Sequence, residues 1–465
     1  MKNILALGAG LVARPLVQYL LDQPDFYVKV ASRTLSKAEH LIGKHPRGQA
    51  QELDITNTSM LDKLVSQSDL VVSLLPNIHH VSVAKICLKY HKPMVTTSYV
   101  SDTMRALDEE VKKAGIIILN EIGLDPGIDH MSAMKIIHRI QKQGGTVKSF
   151  SSYCGGLPAP EANTNPFGYK FSWSPRGVVL AAKNKARYLK DKQEVVIPGE
   201  ELFDHYSIMT IEELGNFEAY PNRDSLPYSK TYGISDTETM FRGTLRNLGW
   251  CQTWKKIAEL GFLDEKERSD LKGFTFREFL RELIQSSAQS NVKRNLAKYL
   301  KIDENSEIMK RIEWLGLLSD DSLPLERGSA LDILVARLWS KLQYQEGERD
   351  IIILRHEFIA EYPCPTGHPV KRATQQRKTA SSATCRRGTE KIISTLIDFG
   401  ISHGDSSMAR TVGLPAAIGA KLILQGKINL TGIQIPISPG IYEPILQELE
   451  EQGITFKEKT EVLKS

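Results

Sequence analysis

The chain has 465 residues, 41% hydrophobic and 25% charged, which excludes a disordered protein and implies two or three domains. Its net charge of +5 is local: six cations and no acid lie between Lys371 and Arg387, so the remainder carries −1 and offers no basic face for nucleic acid. No run approaches the roughly 20 apolar residues of a membrane span, and five scattered cysteines (Cys87, Cys154, Cys251, Cys364, Cys385) without metal-ligand spacing fit reduced thiols in a soluble cytoplasmic protein and no metal site.

The opening run MKNILALGAGLVARPL is apolar like a secretion leader, but Arg14 interrupts it and no cleavage site follows, so no leader is expected. Short apolar runs predict strands over 4–8, 28–31, 51–54, 70–75, 94–97 and 116–119. Amphipathic stretches between them predict helices over 11–21, 36–43, 59–68, 81–90 and 104–114. This alternation is the α/β pattern of a doubly wound parallel sheet.

Gly8, Gly10 and Ala13 have G-x-G-x-x-A spacing at the first strand-to-helix junction. Gly8 permits the tight turn, Gly10 lets a pyrophosphate approach the backbone, and Ala13 lets helix and strand pack closely. A dinucleotide site is expected there. Where an NAD enzyme places an acid for the ribose 2′-hydroxyl, this chain has Ala31, Ser32, Arg33 and Thr34. Two hydroxyls and a guanidinium suit a 2′-phosphate, so NADP is favoured, with NAD as the alternative. Asp54, closing the third strand, and Leu75, closing the fourth, border the expected adenine position; a cap or core role is the alternative for each.

Ligands of open parallel sheets lie outside the carboxyl ends of the strands. Thr97-Ser98-Tyr99 follows the fifth strand and Leu124-Asp125-Pro126-Gly127 the sixth, where a rigid turn would hold Asp125 over a nicotinamide pocket. Satisfying backbone amides is the ordinary use of an Asp in a turn.

From about residue 145 the chain becomes rich in Ser, Tyr, Gly and β-branched residues, with turn signals at Cys154-Gly155-Gly156 and Pro221-Asn222-Arg223-Asp224. A second, α+β domain is expected over 129–251 and 346–404. Residues 152–177 show neither helical nor strand period and read as a long loop, a lid or binding wall, carrying Cys154, Tyr169, Trp173 and Ser174. Cys154 reads equally as a buried thiol or an acid–base group. Arg223 and Arg246, the latter near Thr244, are forks for a substrate with several carboxylates, or else surface salt bridges.

Apolar faces at helical spacing over 252–345 predict a small inserted helical domain. DIIILRHEFIAEY and KIISTLIDFG predict a hairpin whose tip, 364–388, is a solvated, mobile loop. SSMARTVGLPAAIGAKLILQG reads as an Ala- and Gly-rich helix that returns to the first domain, so that about 405–440 completes residues 1–128.

The runs TTSYVS, NEIGLDPGIDH, SYCGGLPAPEANTNPFGYKFSWSPRG, YPNRDS, RGTLR and SSMARTVGLPAAIGAKLILQGKI resemble, nearly word for word, the NADP-dependent, glutamate-forming saccharopine dehydrogenases, from Met1 to about Lys457. The resemblance implies a Rossmann-like cofactor domain, an α+β domain that binds substrate and forms a homodimer, and an all-helical domain. It also implies the reaction: glutamate and 2-aminoadipate 6-semialdehyde join as an imine that NADPH reduces to saccharopine, reversibly.

By that resemblance the cofactor contacts fall on Gly8, Ala9, Gly10, Leu11, Val12, Ser32, Arg33, Asp54, Ile55, Leu75, Thr97, Ser98, Leu124, Asp125, Pro126 and Ser174. The amino-acid substrate contacts fall on Ser98, Tyr99, Asp125, Arg223, Thr244, Leu245 and Arg246. Saccharopine carries three carboxylates and a secondary amine, so Arg223 and Arg246 would grip carboxylates while Asp125 orients the amine and relays protons, with Tyr99 or Cys154 as other carriers. Asn247-Leu248-Gly249-Trp250 departs from the family's aromatic-Gly continuation of RGTLR, and the basic 364–388 segment is longer than the family's turn. Two other readings are an oxidoreductase joining a diamine to an aldehyde, which would call for acids where the arginines stand, and a non-catalytic NADP-binding sensor.

Overall fold

The computed structural model describes residues 1–287, 290–363 and 388–463. The tip expected at 364–388, with Cys364 and Cys385, lies outside them except for Gly388, which opens a strand. Strands β1 (Lys2–Leu7), β2 (Phe26–Ser32), β3 (Gly48–Glu52), β4 (Leu70–Ser73), β5 (Met94–Thr96) and β6 (Ile117–Leu119) form a parallel sheet in the order β6-β5-β4-β1-β2-β3. Helices α1 (Ala13–Asp22), α2 (Leu35–Ile42), α3 (Thr58–Ser66) and α4 (His80–Lys89) occupy the crossovers. Helices cover both faces, so inner strands such as β4 (LVVS) and β6 (IIL) read as apolar runs, whereas the edge strand β3 (GQAQE) is polar. In β1, Ile4 and Ala6 pack in the core layer with Leu16, Leu20 and Ile418, whereas Leu5 and Leu7 pack in the layer with Leu61, Leu64 and Val83.

Several expected boundaries move, and the fourth strand ends at Ser73, so Leu75 lies beyond it. The third strand starts at Gly48 rather than 51, because pairing with β2 runs from Val28 opposite Gly48 to Ser32 opposite Glu52. Asp54 therefore lies beyond the strand in a turn. The single helix expected over 104–114 is two, Asp102–Arg105 and Asp108–Lys113. Ser101 accepts a bond from the Met104 amide to cap the first, and Asp108, Glu109 and Glu110 favour a fresh N-terminus for the second.

The second sheet holds β7 (Thr146–Pro158), β8 (Ala186–Lys190), β9 (Gln193–Ile197), β10 (Ser207–Ile211), β11 (Gly215–Pro221), β12 (Thr239–Asn247), β13 (Asp350–Tyr362) and β14 (Gly388–Phe399). The chain then adds β15 (Gly432–Gln434) to the first sheet beside β6, and β16 (Phe456–Leu463) to the second beside β14. β12 runs parallel to β7, and β13 and β14 pair antiparallel from Ile351 opposite Phe399 to Tyr362 opposite Gly388.

The structure corrects the loop expected over 152–177: Ser152 to Pro158 is the end of β7, in the middle of the sheet. Gly155 and Gly156 are not a turn. A Cβ on Gly155 would lie 2.8 Å from the Leu245 Cβ and one on Gly156 2.5 Å from the Met408 Cε, so glycine admits close neighbours here.

Between β12 and β13 the helices Trp250–Glu259, Phe276–Leu283, Val292–Leu300, Glu307–Leu315 and Ala330–Lys341 bury Trp254, Phe279 and Leu334. The helix Ser407–Leu424 lies against α1, where a Cβ on Gly413 would stand 2.9 Å from the Val12 carbonyl oxygen. Among the described residues no helix is long and apolar enough to cross a membrane.

Candidate active site

The first sheet reverses its strand order between β1 and β4, which is where such sheets open a crevice for a ligand. Gly8 sits there with φ 107°, its amide donating to the Ala31 carbonyl at 2.9 Å, and a Cβ on it would lie 3.1 Å from the Leu74 carbonyl oxygen. A Cβ on Gly10 would meet nothing within 4 Å, so that side of the turn is open. No side-chain hydrogen bond caps α1 at its N-cap Val12; the Ala13 amide donates to the Gly10 carbonyl at 3.1 Å, which folds the glycine turn onto the start of the helix, the end that favours an anion. Ala9 and Val12 pack against the core, and Leu11 stands 55% exposed beside the turn. At the end of β2, Ser32 is half-buried and Arg33 exposed, with no ion pair on Arg33 among the described residues. These features fit a dinucleotide with a 2′-phosphate.

Asp54 is engaged in its own turn. Its Oδ1 accepts from the Thr56 amide at 2.9 Å and the Thr56 hydroxyl at 2.7 Å, bonds that hold its carboxyl below the usual range. Ile55 and Leu75 are half-buried against the core layer that covers this side of the sheet. Ser174 caps the helix Pro175–Ala181, accepting from the Gly177 amide at 3.3 Å, and no bond ties it to the glycine turn. Its loop does face that turn: Leu11, Phe171 and Ser172 line one cavity of about 460 Å³.

The acid of the Asp125 turn is the hub of a buried polar cluster. The Tyr99 hydroxyl donates to Asp125 Oδ1 at 3.0 Å. Arg242, on β12 and 4% exposed, donates from Nη2 to Asp125, to Asp129 Oδ2 at 2.8 Å and to the Tyr99 hydroxyl at 3.3 Å. Asp129 Oδ1 accepts from the Gly127 and His130 amides at 2.6 and 2.8 Å, which fixes the turn to the start of the helix Ile128–Lys142. His130 lies 2.8 Å from Glu121 Oε2 and 2.5 Å from the Tyr232 hydroxyl. Leu124 is buried in the core, and the half-buried Thr97 packs against its neighbour Gly123, where a Cβ would lie 3.2 Å from the Thr97 Cβ.

Burial sets the protonation of this cluster. It raises the Asp125 carboxyl, opposed by Arg242 and reinforced by Asp129. Burial pushes the His130 imidazolium down, yet Asp129 and the bond to Glu121 outweigh it, so on balance its pKa is raised. The cluster sets three carboxyl groups, Asp125, Asp129 and Glu121, against one guanidinium and one imidazole, Arg242 and His130, so acids outnumber bases by one, which suits a positively charged ligand atom.

The predicted arginines flank the cluster. The Arg223 guanidinium lies 5.4 Å from the Tyr99 ring centre and forms no ion pair among the described residues. Its φ of 55° is rare for a non-glycine residue. Arg246 is 6% exposed, packed on the faces of Tyr169 and Trp250 at 5.0 and 5.3 Å, and also has no carboxylate partner among the described residues. The Glu218 opposite it in register instead accepts from the Gly249 and Cys251 amides, both at 2.7 Å. A buried unpaired guanidinium is costly, and it is the arrangement expected where a ligand supplies the anion.

Cys154 lies opposite Thr244 in register, within reach of the charges of Asp125, Asp129, Arg246 and Arg242. Burial, then the two carboxylates, raises its thiol well above the ordinary value, so it stays protonated. Leu245 has its side chain fully buried, and its carbonyl accepts from Arg246 Nη1 at 2.8 Å. Asn247, where the sequence departs from the family, donates to the Gly168 carbonyl at 2.6 Å and so ties the wall loop to β12.

Sequence reasoning missed Arg242, Asp129, Glu121 and His130. A signal existed for Arg242, since residues two apart in a strand share a face and Arg242, Thr244 and Arg246 therefore align. None existed for the others beyond their presence in the run NEIGLDPGIDH.

Comparison with known proteins decides the family. The model of the saccharopine dehydrogenase NADP binding domain matches residues 4–119, and that of the saccharopine dehydrogenase C-terminal domain matches residues 123–454. The chain belongs to the saccharopine dehydrogenase family. It is 42% identical to the saccharopine dehydrogenase [NADP(+), L-glutamate-forming] of Saccharomyces cerevisiae over 99% of both chains, and 39% identical to that of Schizosaccharomyces pombe over the same shares. The apo structure of the L-Glu-forming enzyme from Saccharomyces cerevisiae superposes with a TM-score of 0.85 at 40% identity, covering 99% of this chain and 100% of the other. The bovine mitochondrial alpha-aminoadipic semialdehyde synthase is 36% identical over 98% of this chain and 47% of its own length. The family's fold is thus that of the two sheets described above.

Proposed function

We propose that this saccharopine dehydrogenase family member joins L-glutamate to L-2-aminoadipate 6-semialdehyde with NADPH and a proton, giving L-saccharopine, NADP⁺ and water, and runs the reverse reaction, as a step of lysine metabolism. The observation that carries this reading is the pair of guanidiniums without a protein anion among the described residues, Arg246 buried and Arg223 exposed, near a cluster in which carboxyl groups outnumber bases. A substrate with several carboxylates and a central amine satisfies both features, whereas a diamine would meet two unpaired cations.

NADPH, when bound, supplies the hydride that reduces the C=N carbon. The open side of Gly10, the uncapped start of α1, Ser32 and Arg33 would hold its phosphates. Arg223 and Arg246 orient the carboxylates, so the amine lies over the Asp125 turn. Asp125, raised by burial yet bonded to Tyr99 and Arg242, is poised to take a proton from the attacking amine and to return it as water leaves. Burial holds the Tyr99 hydroxyl well above its ordinary pKa, so it acts as a donor that orients Asp125. Cys154, protonated, lines the pocket between the acid cluster and Arg246.

The same reading places the cofactor unit in residues 1–128 and about 405–440, the substrate and dimerisation unit in 129–251 and 346–404, and the helical unit in 252–345. It includes a homodimer and a cytoplasmic setting, the latter in keeping with free Cys87, Cys154 and Cys251.

The test is spectrophotometric. Saccharopine with NADP⁺ should yield NADPH, and no reduced cofactor with either NADP⁺ or NAD⁺ would end the proposal. Arg223→Ala should raise the KM for saccharopine about 10- to 100-fold, the range of a lost charge-assisted bond, and leave the NADPH Kd unchanged. Equal loss of both would show that Arg223 belongs elsewhere.

A further inference from the structure

The crossover helix between β4 and β5 begins with His80, a residue 4% exposed that lies beneath the candidate site. Its Nδ1 is 2.9 Å from the hydroxyl of Ser73, the last residue of β4. Its Nε2 is 2.8 Å from the Ser98 hydroxyl and 3.2 Å from that of Thr96, the last residue of β5. The ring therefore ties the ends of two adjacent strands to Ser98, next to Tyr99.

We infer that His80 is a positioning residue for the reaction, one that fixes the Ser98 hydroxyl so that its hydrogen points into the site. This rests on the assignment of Ser98 to the active site under the function proposed above. Three observations carry it. Burial lowers the His80 pKa to about 4, so the ring is neutral and has one donor and one acceptor nitrogen. Ser73 has no other side-chain bond among the described residues and, taken as the donor to Nδ1, leaves the Nε2 hydrogen to Ser98 Oγ at 2.8 Å, nearer than Thr96 Oγ1 at 3.2 Å. The Ser98 amide donates to Thr96 Oγ1 at 3.4 Å, which anchors the backbone of the same residue. With an N–H donated to its oxygen, Ser98 keeps its own hydrogen for a ligand oxygen or nitrogen. No charge moves in this arrangement; His80 acts only through the orientation of Ser98.

Amide replacements separate the two ring nitrogens. His80→Asn puts an amide near the Nδ1 position, within reach of Ser73 but short of Ser98, whereas the longer His80→Gln reaches the Nε2 position. H80N should lower kcat/KM for saccharopine oxidation about tenfold, the size of a lost orienting bond, and H80Q should recover most of it. In a Ser98→Ala background H80N should add less than about twofold, because the residue through which it acts is gone. An H80N loss as large in that background as in the wild type overturns the inference. A second readout needs no turnover: in protein carrying ¹⁵N-histidine, S98A should move the His80 Nε2 resonance. An unmoved resonance overturns the contact even if the chain oxidises saccharopine, while a moved resonance in a chain inactive on saccharopine sinks the function alone.

Discussion

Two arginines four positions apart on β12 carry opposite obligations. Arg242 is balanced by Asp125 and Asp129, so removing its charge strands two buried carboxylates against each other. Arg242→Met should cost about 3–5 kcal/mol in urea denaturation, and Asp129→Asn in the same chain should return part of it. Arg246 has no protein carboxylate and its Nε has no hydrogen-bond partner among the described residues. Arg246→Met should therefore leave stability within about 1 kcal/mol of wild type while weakening saccharopine binding by about 1.5–3 kcal/mol. Equal destabilisation by the two substitutions would refute the contrast. Sequence singles out Arg246 and Arg223 as forks and can place Arg242 on the face of Arg246, but it cannot show that the partners of Arg242 are buried carboxyls while those of Arg187 and Arg268 are exposed acids. Partnership is a property of the folded chain.

At the scale of elements, glycine marks where two backbones approach. The glycines of β7 resemble a turn to pattern reading, because a strand without side chains has no period. They are strand residues because Leu245 and Met408 occupy the space that Cβ atoms would take. Gly413 does the same between α1 and the helix Ser407–Leu424, where a Cβ would also lie 3.2 Å from the Leu16 amide. Gly413→Val should push the two helices apart and shift the start of α1, which frames the dinucleotide site. The expected outcome is about 1–3 kcal/mol of lost stability together with weaker NADPH binding, read by thermal melting and by cofactor fluorescence titration. Unchanged melting and unchanged affinity would mean that the helices separate without moving the turn.

Across the whole molecule, buried histidines link stability to pH. Burial lowers His80 to about 4 and His356 to about 3, so both are neutral when folded and take up protons when unfolded near the ordinary value of 6.5. Since the unfolded chain binds more protons below that value, stability falls as pH drops towards the folded pKa values, by up to about 1.4 kcal/mol per pH unit for each residue. His130 works the other way: its raised pKa contributes stability that is full below its unfolded value and is lost as pH rises through the folded one. Two against one, the protein should be less stable at about pH 5 than at about pH 7, and His356→Phe should flatten the difference. A His356→Phe slope equal to that of the wild type would show that this ring is not the source.

The sequence by itself determined the alternation of strands and helices in the first sheet, the glycine turn, the missing acid after β2 and the carboxylate on the turn after β6, because each depends on neighbours within a few residues of the chain. Only the tertiary structure decided that Arg242 closes on Asp125 and Asp129, that Glu218 spends its oxygens on the Gly249 and Cys251 amides and leaves Arg246 bare, and that His80 reaches Ser98. Those pairings join strands and helices distant along the chain, and whether a charge is compensated depends on which groups burial brings together away from water.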